Sequence, residues 1–273
     1  KDLQALLDKP KKTESITPPA PTPPVSARPR QLSVTQVETW MRDPYSIYAK
    51  FILKLKPLPA LNLTLETADY GTLIHQILNQ FSKTYPAYPG EPLPCNAEDV
   101  LIKLGRQRFG AITNFPAVWA FWWPRFLSIS KWFIDQERAA RLEIIDIKTE
   151  VKGQLELEGP HGTFTLVAVA DRIDRLENER LRIIDYKTGA PPTQKEISAG
   201  FAPQLPLEAA IANSGGFKSI LGNNVSALDY WRLKGGTPPG EISSAGENIH
   251  KLTKDAINGL ENLIKAFDHK DTP

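Results

Sequence analysis

Two aspartates and a lysine lie at the ends of two apolar segments in the middle of the chain. Asp171 ends the alternating segment FTLVAVAD, and Asp185 and Lys187 end the segment LRIIDYK. Side chains alternate between the two faces of a strand, so Asp185 and Lys187 should share one face. If the segments pair as a hairpin around Asn178 and Glu179, Asp171 and Asp185 come to the same end of it. Two carboxylates behind apolar runs are costly to bury unless a cation lies between them.

This pattern has two interpretations. In the simpler one, both aspartates are polar residues at strand ends and Lys187 is their salt-bridge partner, as a lone Asp-x-Lys would suggest. The second acid, however, lies 14 residues upstream on the neighbouring strand, and Gly189 closes the pattern. These features favour a divalent metal site, because carboxylate oxygens are the ligands that Mg²⁺ and Mn²⁺ prefer.

His75 is a candidate third ligand. It lies at the edge of an apolar stripe in the predicted helix ADYGTLIHQILNQF, whose members are Ile74, Ile77, Leu78 and Phe81. Gly71 precedes it by one turn, and glycine in a helix costs about 1 kcal/mol relative to alanine. Taken alone, His75 would be a boundary histidine. The Gly-x-x-x-His spacing indicates that space is needed on this side of the helix, which favours a ligand.

Composition limits the class of protein. The 273 residues contain 41% hydrophobic and 23% charged residues, as in ordinary globular proteins. No apolar run approaches the roughly 20 residues that cross a bilayer, so we expect no membrane partner. The single cysteine, Cys95, excludes an intrachain disulfide and a multi-cysteine metal site, and it indicates a reducing compartment such as the cytoplasm. The net charge of +2 means that any nucleic-acid binding needs a local basic patch.

Two segments differ in composition. Residues 1–30 hold seven of the 24 prolines and six basic residues against three acidic ones, which predicts an extended, disordered linker. Residues 31–273 form the globular domain. Because the chain begins at Lys1 and not at Met, we expect it to be part of something longer.

Hydrophobic periodicity predicts an α/β domain, with a mixed central sheet flanked by helices. A capping box at Ser33 and Gln36 begins the first helix, and residues 57–68 and 190–200 are predicted loops. The predicted helices are 33–43, 45–55, 68–81, 96–110, 116–140, 201–214 and 251–267, and the predicted strands are 147–158, 164–171, 181–187 and 225–235.

Four segments in this order resemble a known family. GTLIH, VAVADRID, IIDYKTG and QLPLEAAI are similar to the motifs of the PD-(D/E)xK nuclease superfamily, specifically of RecB-like nuclease domains. The resemblance covers residues 31–267 and is greatest to the C-terminal nuclease domains of bacterial AddB proteins. It implies a restriction-endonuclease-like fold.

The resemblance also implies a site. His75, Asp171, Asp185 and the backbone carbonyl of Tyr186 would bind Mg²⁺ or Mn²⁺. Asp171 and Asp185 would thereby be catalytic as well.

Two more residues have implied roles. Lys187 would orient or deprotonate the attacking water, and Gln204 would hold Lys187 or the phosphate. The implied activity is magnesium-dependent DNA cleavage, exonucleolytic on single strands, in double-strand-break processing. An AddA-like helicase–nuclease subunit and an upstream helicase-like part of the same chain would be the partners.

The sequence departs from the family pattern at three positions. Asp43-Pro44 replaces a Cys-Pro pair, and with only Cys95 present no iron–sulfur cluster is expected. Glu208 occupies a position that is usually tyrosine, and Ala168 one that is often glycine. The alternative function is a catalytically silent DNA-binding or scaffolding domain of the same complex.

Overall fold

The computed structural model describes residues 17–58, 67–110 and 115–273. Its sheet has six strands in the order β1-β3-β4-β5-β6, with β2 also paired to β3. The strands are β1 Gln31–Ser33, β2 Ile144–Gly159, β3 Gly162–Leu176, β4 Arg180–Lys187, β5 Asn224–Leu233 and β6 Gly240–Ser244. The helices are α1 Val34–Arg42, α2 Pro44–Ile47, α3 Thr67–Thr84, α4 Ala97–Phe109, α5 Pro116–Ala140, α6 Gln194–Ser198, α7 Gln204–Asn213 and α8 Ile249–Phe267. The predicted mixed α/β fold is confirmed.

Strands β2, β3 and β4 form the predicted antiparallel meander. The alternation along β3 is also as predicted, because its inward residues are buried: Phe164, Leu166, Ala168 and Ala170. Asn178 and Glu179 form the turn that leads into β4, and both have a φ of 57°. The hairpin therefore delivers its two acidic positions to one region of the sheet.

Strand β3 has a gap along one edge. Strand β2 pairs with β3 along its length, so β1 and β4 share the opposite edge. There, β1 pairs with residues 165–167 and β4 with residues 172–175. Residues 168–171 lie between these partners, and Asp171 is the last of them. The backbone around Asp171 is thus open to side chains and ligands, not closed by a strand.

Helices cover both faces of the sheet. On one face, α1, α7 and α8 pack over the buried side of β3 and β4. On the other, α3, α4 and α5 form a second core, which is rich in aromatic rings and includes Tyr186 and Trp231 from the sheet. The site described below lies where α3 and α7 approach the end of β4.

The segment that precedes β1 differs from the predicted linker in its last part. Arg28 is only 3% exposed, and its guanidinium donates to the carbonyls of Pro23, Phe267 and Thr272. Trp40 of α1 packs on Phe267 with ring centroids 4.5 Å apart. The chain just upstream of β1 is thereby bound to the end of α8, in contact with the folded domain. Residues 1–16 lie outside the described residues.

Several short elements differ from the sequence-based expectation. Strand β1 has three residues and β6 has five, which is too short for a periodicity to stand out. Helix α6 lies in the predicted 190–200 loop and begins with a capping box formed by Thr193 and Glu196. The predicted helix 45–55 divides into α2 and a π-helix, Tyr48–Ile52. Most of the predicted loop 57–68 lies outside the described residues.

Within the described part of the chain, no helix is both long and apolar enough to cross a bilayer.

Candidate active site

Asp171 lies at the gap between β1 and β4, and both of its carboxylate oxygens have partners. Oδ2 accepts a 2.9 Å hydrogen bond from the backbone N–H of Tyr186, and Oδ1 lies 3.2 Å from His75 Nδ1. Strand pairing between β3 and β4 stops at the pair Arg172–Ile184, so Asp171 and Asp185 are the first residues beyond it. The carboxylate of Asp171 therefore accepts from the backbone N–H of Tyr186, in place of a carbonyl of a neighbouring strand.

Helix α3 places His75 beside this carboxylate. A methyl group at Gly71, one turn earlier, would lie 3.1 Å from Thr188 Oγ1, so the glycine allows α3 to lie close to the end of β4. Burial alone would lower the pKa of His75, but the hydrogen bond and charge of Asp171 outweigh it and raise that pKa. A backbone hydrogen bond with Tyr186 acts in the same direction.

Glu150, which was not among the predicted site residues, completes a cluster with His75 and Asp171. One ligand atom each from His75, Glu150 and Asp171 lie within 4.8 Å of one another. Glu150 lies on β2 between the pairs Thr149–Arg172 and Val151–Ala170, and therefore opposite Asp171. Its φ of 51° is unusual for a residue in a strand. Partial burial, and then the negative charge of Asp171, raise the pKa of Glu150.

The sequence contains a signal for Glu150. Gly159 pairs with Gly162 around a two-residue turn, and this register places residue 150 opposite residue 171. Once that turn is located in the sequence, counting residues back along one strand and forward along the other pairs Glu150 with Asp171.

The second half of the site surrounds Asp185, which is 2% exposed. Lys187 Nζ lies 2.9 Å from Asp185 Oδ1 and 3.1 Å from Gln204 Oε1. Gln204 Nε2 donates to the same Oδ1 over 2.6 Å. The three side chains thus form a closed triangle, with Gln204 supplied by the first turn of α7, as predicted.

Among the described residues, one oxygen of Asp185 has no hydrogen-bond donor. Lys187 Nζ approaches Oδ2 to 2.7 Å as an ion pair, without a hydrogen bond to this buried oxygen. Burial raises the pKa of Asp185 to about 6, against the opposing charge of Lys187. An oxygen in this state is available to a cation or a proton.

Glu208 lies behind the triangle, 1% exposed. Its Oε1 accepts from Gln204 Nε2 over 3.2 Å, while Oε2 and the nearby Tyr230 hydroxyl have no hydrogen-bond partner in the described structure. Burial, and then the charges of Asp185 and Asp171, raise the pKa of Glu208 well above its usual range. Glu208 therefore favours the neutral acid and fixes the amide orientation of Gln204.

A buried charge network supports the strands beneath the site. Arg172 is fully buried and bonds to Glu137 of α5 and, over 2.5 Å, to Asp174. Its guanidinium also lies 5.6 Å from the ring of Trp231 and 3.4 Å from the Tyr186 hydroxyl. This network fixes the residues that follow Asp171 and Asp185 on their strands.

The donor set suits a hard divalent ion. An imidazole nitrogen and two carboxylates converge within 4.8 Å, and the buried Oδ2 of Asp185 adds a further oxygen that no described donor satisfies. Such nitrogen and oxygen ligands fit Mg²⁺ or Mn²⁺. Of the residues predicted to bind metal, His75 and Asp171 are together, whereas Asp185 is turned toward Lys187.

The comparison with protein families decides what kind of protein carries this site. The family model of the PD-(D/E)XK nuclease superfamily matches residues 31–273. The chain belongs to this superfamily. The PD-(D/E)XK assignment agrees with the mixed sheet and its flanking helices, and the superfamily is one of nucleases.

The curated relatives of this PD-(D/E)XK chain are longer proteins. An uncharacterized protein of Rickettsia bellii is 32% identical over 253 residues, covering 87% of this chain and 30% of its own length. One from Rickettsia felis is 33% identical over 216 residues, covering 77% of this chain and 25% of its own length. The chain thus spans less than a third of these relatives. The crystal structure of SSO0001 covers 94% of this chain and 81% of its own, with 13% identity and a TM-score of 0.29.

Proposed function

We propose that this chain is a divalent-metal-dependent deoxyribonuclease that hydrolyses phosphodiester bonds, exonucleolytically and on single strands. The main support for this proposal is that two complementary groups of side chains lie near the end of β4. The first is a His75, Glu150 and Asp171 cluster that suits a cation. The second is Lys187, hydrogen-bonded to Asp185 and Gln204.

His75, Glu150 and Asp171 would hold the ion, with Asp185 Oδ2 and the backbone carbonyl of Tyr186 as further ligands. When bound, a divalent ion lowers the pKa of a water molecule and neutralises charge on the scissile phosphate. The hydrogen bond from Tyr186 to Asp171 Oδ2 fixes that carboxylate, so that Oδ1 remains directed toward His75.

Lys187 acts as a donor. Burial would lower the pKa of Lys187, but the charge and hydrogen bond of Asp185 outweigh it and raise that pKa. The side chain is therefore an ammonium that orients the attacking water and stabilises charge developing on the phosphate. Gln204 restrains the ammonium through its amide oxygen.

The reaction is hydrolysis at phosphorus. The water oxygen forms a bond to phosphorus, the bond to the 3′-oxygen breaks, and a proton passes to that leaving oxygen. The products are a 5′-phosphate and a 3′-hydroxyl.

The biological setting is proposed from the resemblance to AddB nuclease domains. The chain would process DNA ends at double-strand breaks, joined to an upstream helicase-like part and bound to an AddA-like subunit. The Rickettsia relatives are long enough to contain such a further part, since this chain matches only 30% of the first.

The test is cleavage of an end-labelled single-stranded oligonucleotide with Mg²⁺ or Mn²⁺, and with a chelator as control. We expect metal-dependent cleavage by the wild type, loss of cleavage in His75→Ala and Asp171→Asn, and retention in Asp255→Asn, which changes an exposed acid on α8. A wild type that binds DNA without cleaving it under any metal condition would leave only the scaffolding function.

A further inference from the structure

A second groove adjoins the metal cluster. The cavity at the cluster has a volume of about 640 Å³ and includes His75, Glu150, Asp171 and Val169. A neighbouring cavity of about 430 Å³ shares Val169 and is also lined by Gln31, Ser33, Lys152, Gln154 and Lys218. Val169, which is 47% exposed, thus forms the floor where the two cavities meet. We call the second cavity the Lys152 groove.

The strand register sets the distance between this groove and the metal cluster. Lys152 pairs directly with Val169, and Val169 is two residues from Asp171 on the same face of β3. Two residues along a strand span about 7 Å. Lys152 therefore lies about 7 Å along the sheet from the position of Asp171. At this distance its ammonium can contact the phosphate next to the one being cleaved.

The groove carries positive charge without a compensating acid. Lys152 and Lys218 are both exposed, and no ion pair involves either of them within the described residues. Over those same residues, no carboxylate lines the groove. Ser33 caps the N-terminus of α1, so the positive end of that helix also borders it.

Charge also indicates the direction of the path. Farther along the same face of β2 lie Glu156 and Glu158, both exposed, which would repel a phosphate backbone. Lys218 follows a segment that lies against the edge of β2, where Gln154 donates its N–H to the carbonyl of Gly216. A strand leaving the cluster is therefore drawn past Lys152 toward Lys218, away from Glu156.

We infer that the Lys152 groove binds the backbone of a single nucleic-acid strand next to the scissile phosphate, with Lys152 on the adjacent phosphate and Lys218 farther along. The exposed Val169 side chain offers an apolar surface to a sugar or base. This inference rests on the proposed nuclease function, and it names the surface by which the site holds its substrate.

The test separates binding from cleavage. Lys152→Gln, Lys218→Gln and the double variant are compared with Lys254→Gln, which removes an exposed lysine on α8. Affinity for a labelled single strand is measured by fluorescence anisotropy in chelator, from low to moderate salt. Each groove variant should bind several-fold more weakly, and the slope of log affinity against log salt should shrink by about 0.7 per lost phosphate contact.

Further readouts exclude a merely structural effect. Mn²⁺ affinity should be unchanged in the groove variants, and KM for the strand should rise while kcat at saturating DNA is kept. The inference is overturned if the double variant has the affinity and salt slope of Lys254→Gln, or if only duplex binding is weakened.

Failure of the inference can be told from failure of the proposed function. Wild-type cleavage together with normal binding by the double variant overturns the groove and leaves the nuclease. Weakened binding by the double variant without any wild-type cleavage supports the groove and overturns the nuclease.

Discussion

The backbone N–H of Tyr186 donates a 2.9 Å hydrogen bond to Asp171 Oδ2, across the point where β3 and β4 stop pairing. This bond connects β3, which carries Asp171, to β4, which carries Asp185. It also explains why Asp171 can be both a structural acceptor and a ligand, since its other oxygen lies toward His75. Changes at Asp171 and Asp185 should therefore have different effects.

Asp171→Asn should bind Mn²⁺ at least about 10-fold more weakly, because it removes a charged ligand. The amide oxygen of the new side chain can still accept the hydrogen bond from the backbone N–H of Tyr186. The free energy of unfolding should change little for the same reason. Calorimetric Mn²⁺ titration and urea unfolding measure the two effects. Equal Mn²⁺ affinity in Asp171→Asn and the control Asp255→Asn would contradict the ligand role.

Lys187→Ala should keep Mn²⁺ affinity, or strengthen it, because the nearby ammonium repels a cation. Cleavage should fall by about 10²- to 10³-fold, since the lost interaction acts on charge in the transition state. Asp185→Ala should instead lose both ion affinity and cleavage. Wild-type cleavage rates in Lys187→Ala would show that the ammonium has no catalytic role.

Mn²⁺ binding should weaken as the pH falls below about 6, the value to which burial raises the pKa of Asp185. Below that pH the carboxyl is protonated and neutral, and a proton must leave before an ion can bind. The raised pKa of His75 acts in the same direction. Affinity should fall roughly tenfold per pH unit for each proton displaced. Calorimetry between pH 5 and pH 8 measures it, and a flat profile would contradict the assignment.

Glu208→Gln should remove a pH-dependent part of the stability. A raised acid pKa means that the folded state holds the proton more tightly, so this contribution is full below the ordinary pKa of 4.5 and is lost as the pH rises toward the folded value. The wild type should therefore lose more stability than Glu208→Gln between pH 5 and pH 8 in urea unfolding. Cleavage should persist, because the new amide oxygen can accept from Gln204. Parallel pH profiles of the two proteins would mean that Glu208 is ionised when folded.

Arg172→Met should destabilise the fold by about 3 kcal/mol, because it removes the buried cation that Glu137 and Asp174 share and leaves each carboxylate with one remaining arginine, Arg141 and Arg182 respectively. Arg180→Ala, at the exposed start of β4, should stay within about 0.5 kcal/mol of the wild type. Urea unfolding of the three proteins compares them. A loss as small as that of the control would mean that the network contributes little to stability.

The parts of the site that follow from local periodicity were predictable. Alternation places Asp185 and Lys187 on one face of β4, and their 2.9 Å hydrogen bond confirms it. The apolar stripe of α3 and the glycine at position 71 singled out His75, whose Nδ1 lies 3.2 Å from Asp171 Oδ1. These inferences needed only the geometry of a single strand or helix.

The parts that depend on register between strands were not predicted. Glu150 belongs to the site because the turn after Gly159 sets its partner as Asp171. The orientation of Asp185 toward Gln204 depends on how α7 packs against β4, which no periodicity specifies. The short β1 was missed for a related reason, since its pairing with β3 gives it a structure that its three residues do not signal.

The anchoring of Arg28 has a mechanical consequence. Its guanidinium donates hydrogen bonds to the carbonyls of Phe267 and Thr272, and Arg30 forms an ion pair with Asp268 beside them. A pull on the chain upstream of Arg28 is therefore resisted first at the end of α8, in line with these bonds. Arg30 also bonds to the carbonyls of Gly162 and Thr163 at the start of β3, so such a load enters the sheet at the end of β3 that is remote from Asp171 and from the cluster of His75, Glu150 and Asp171.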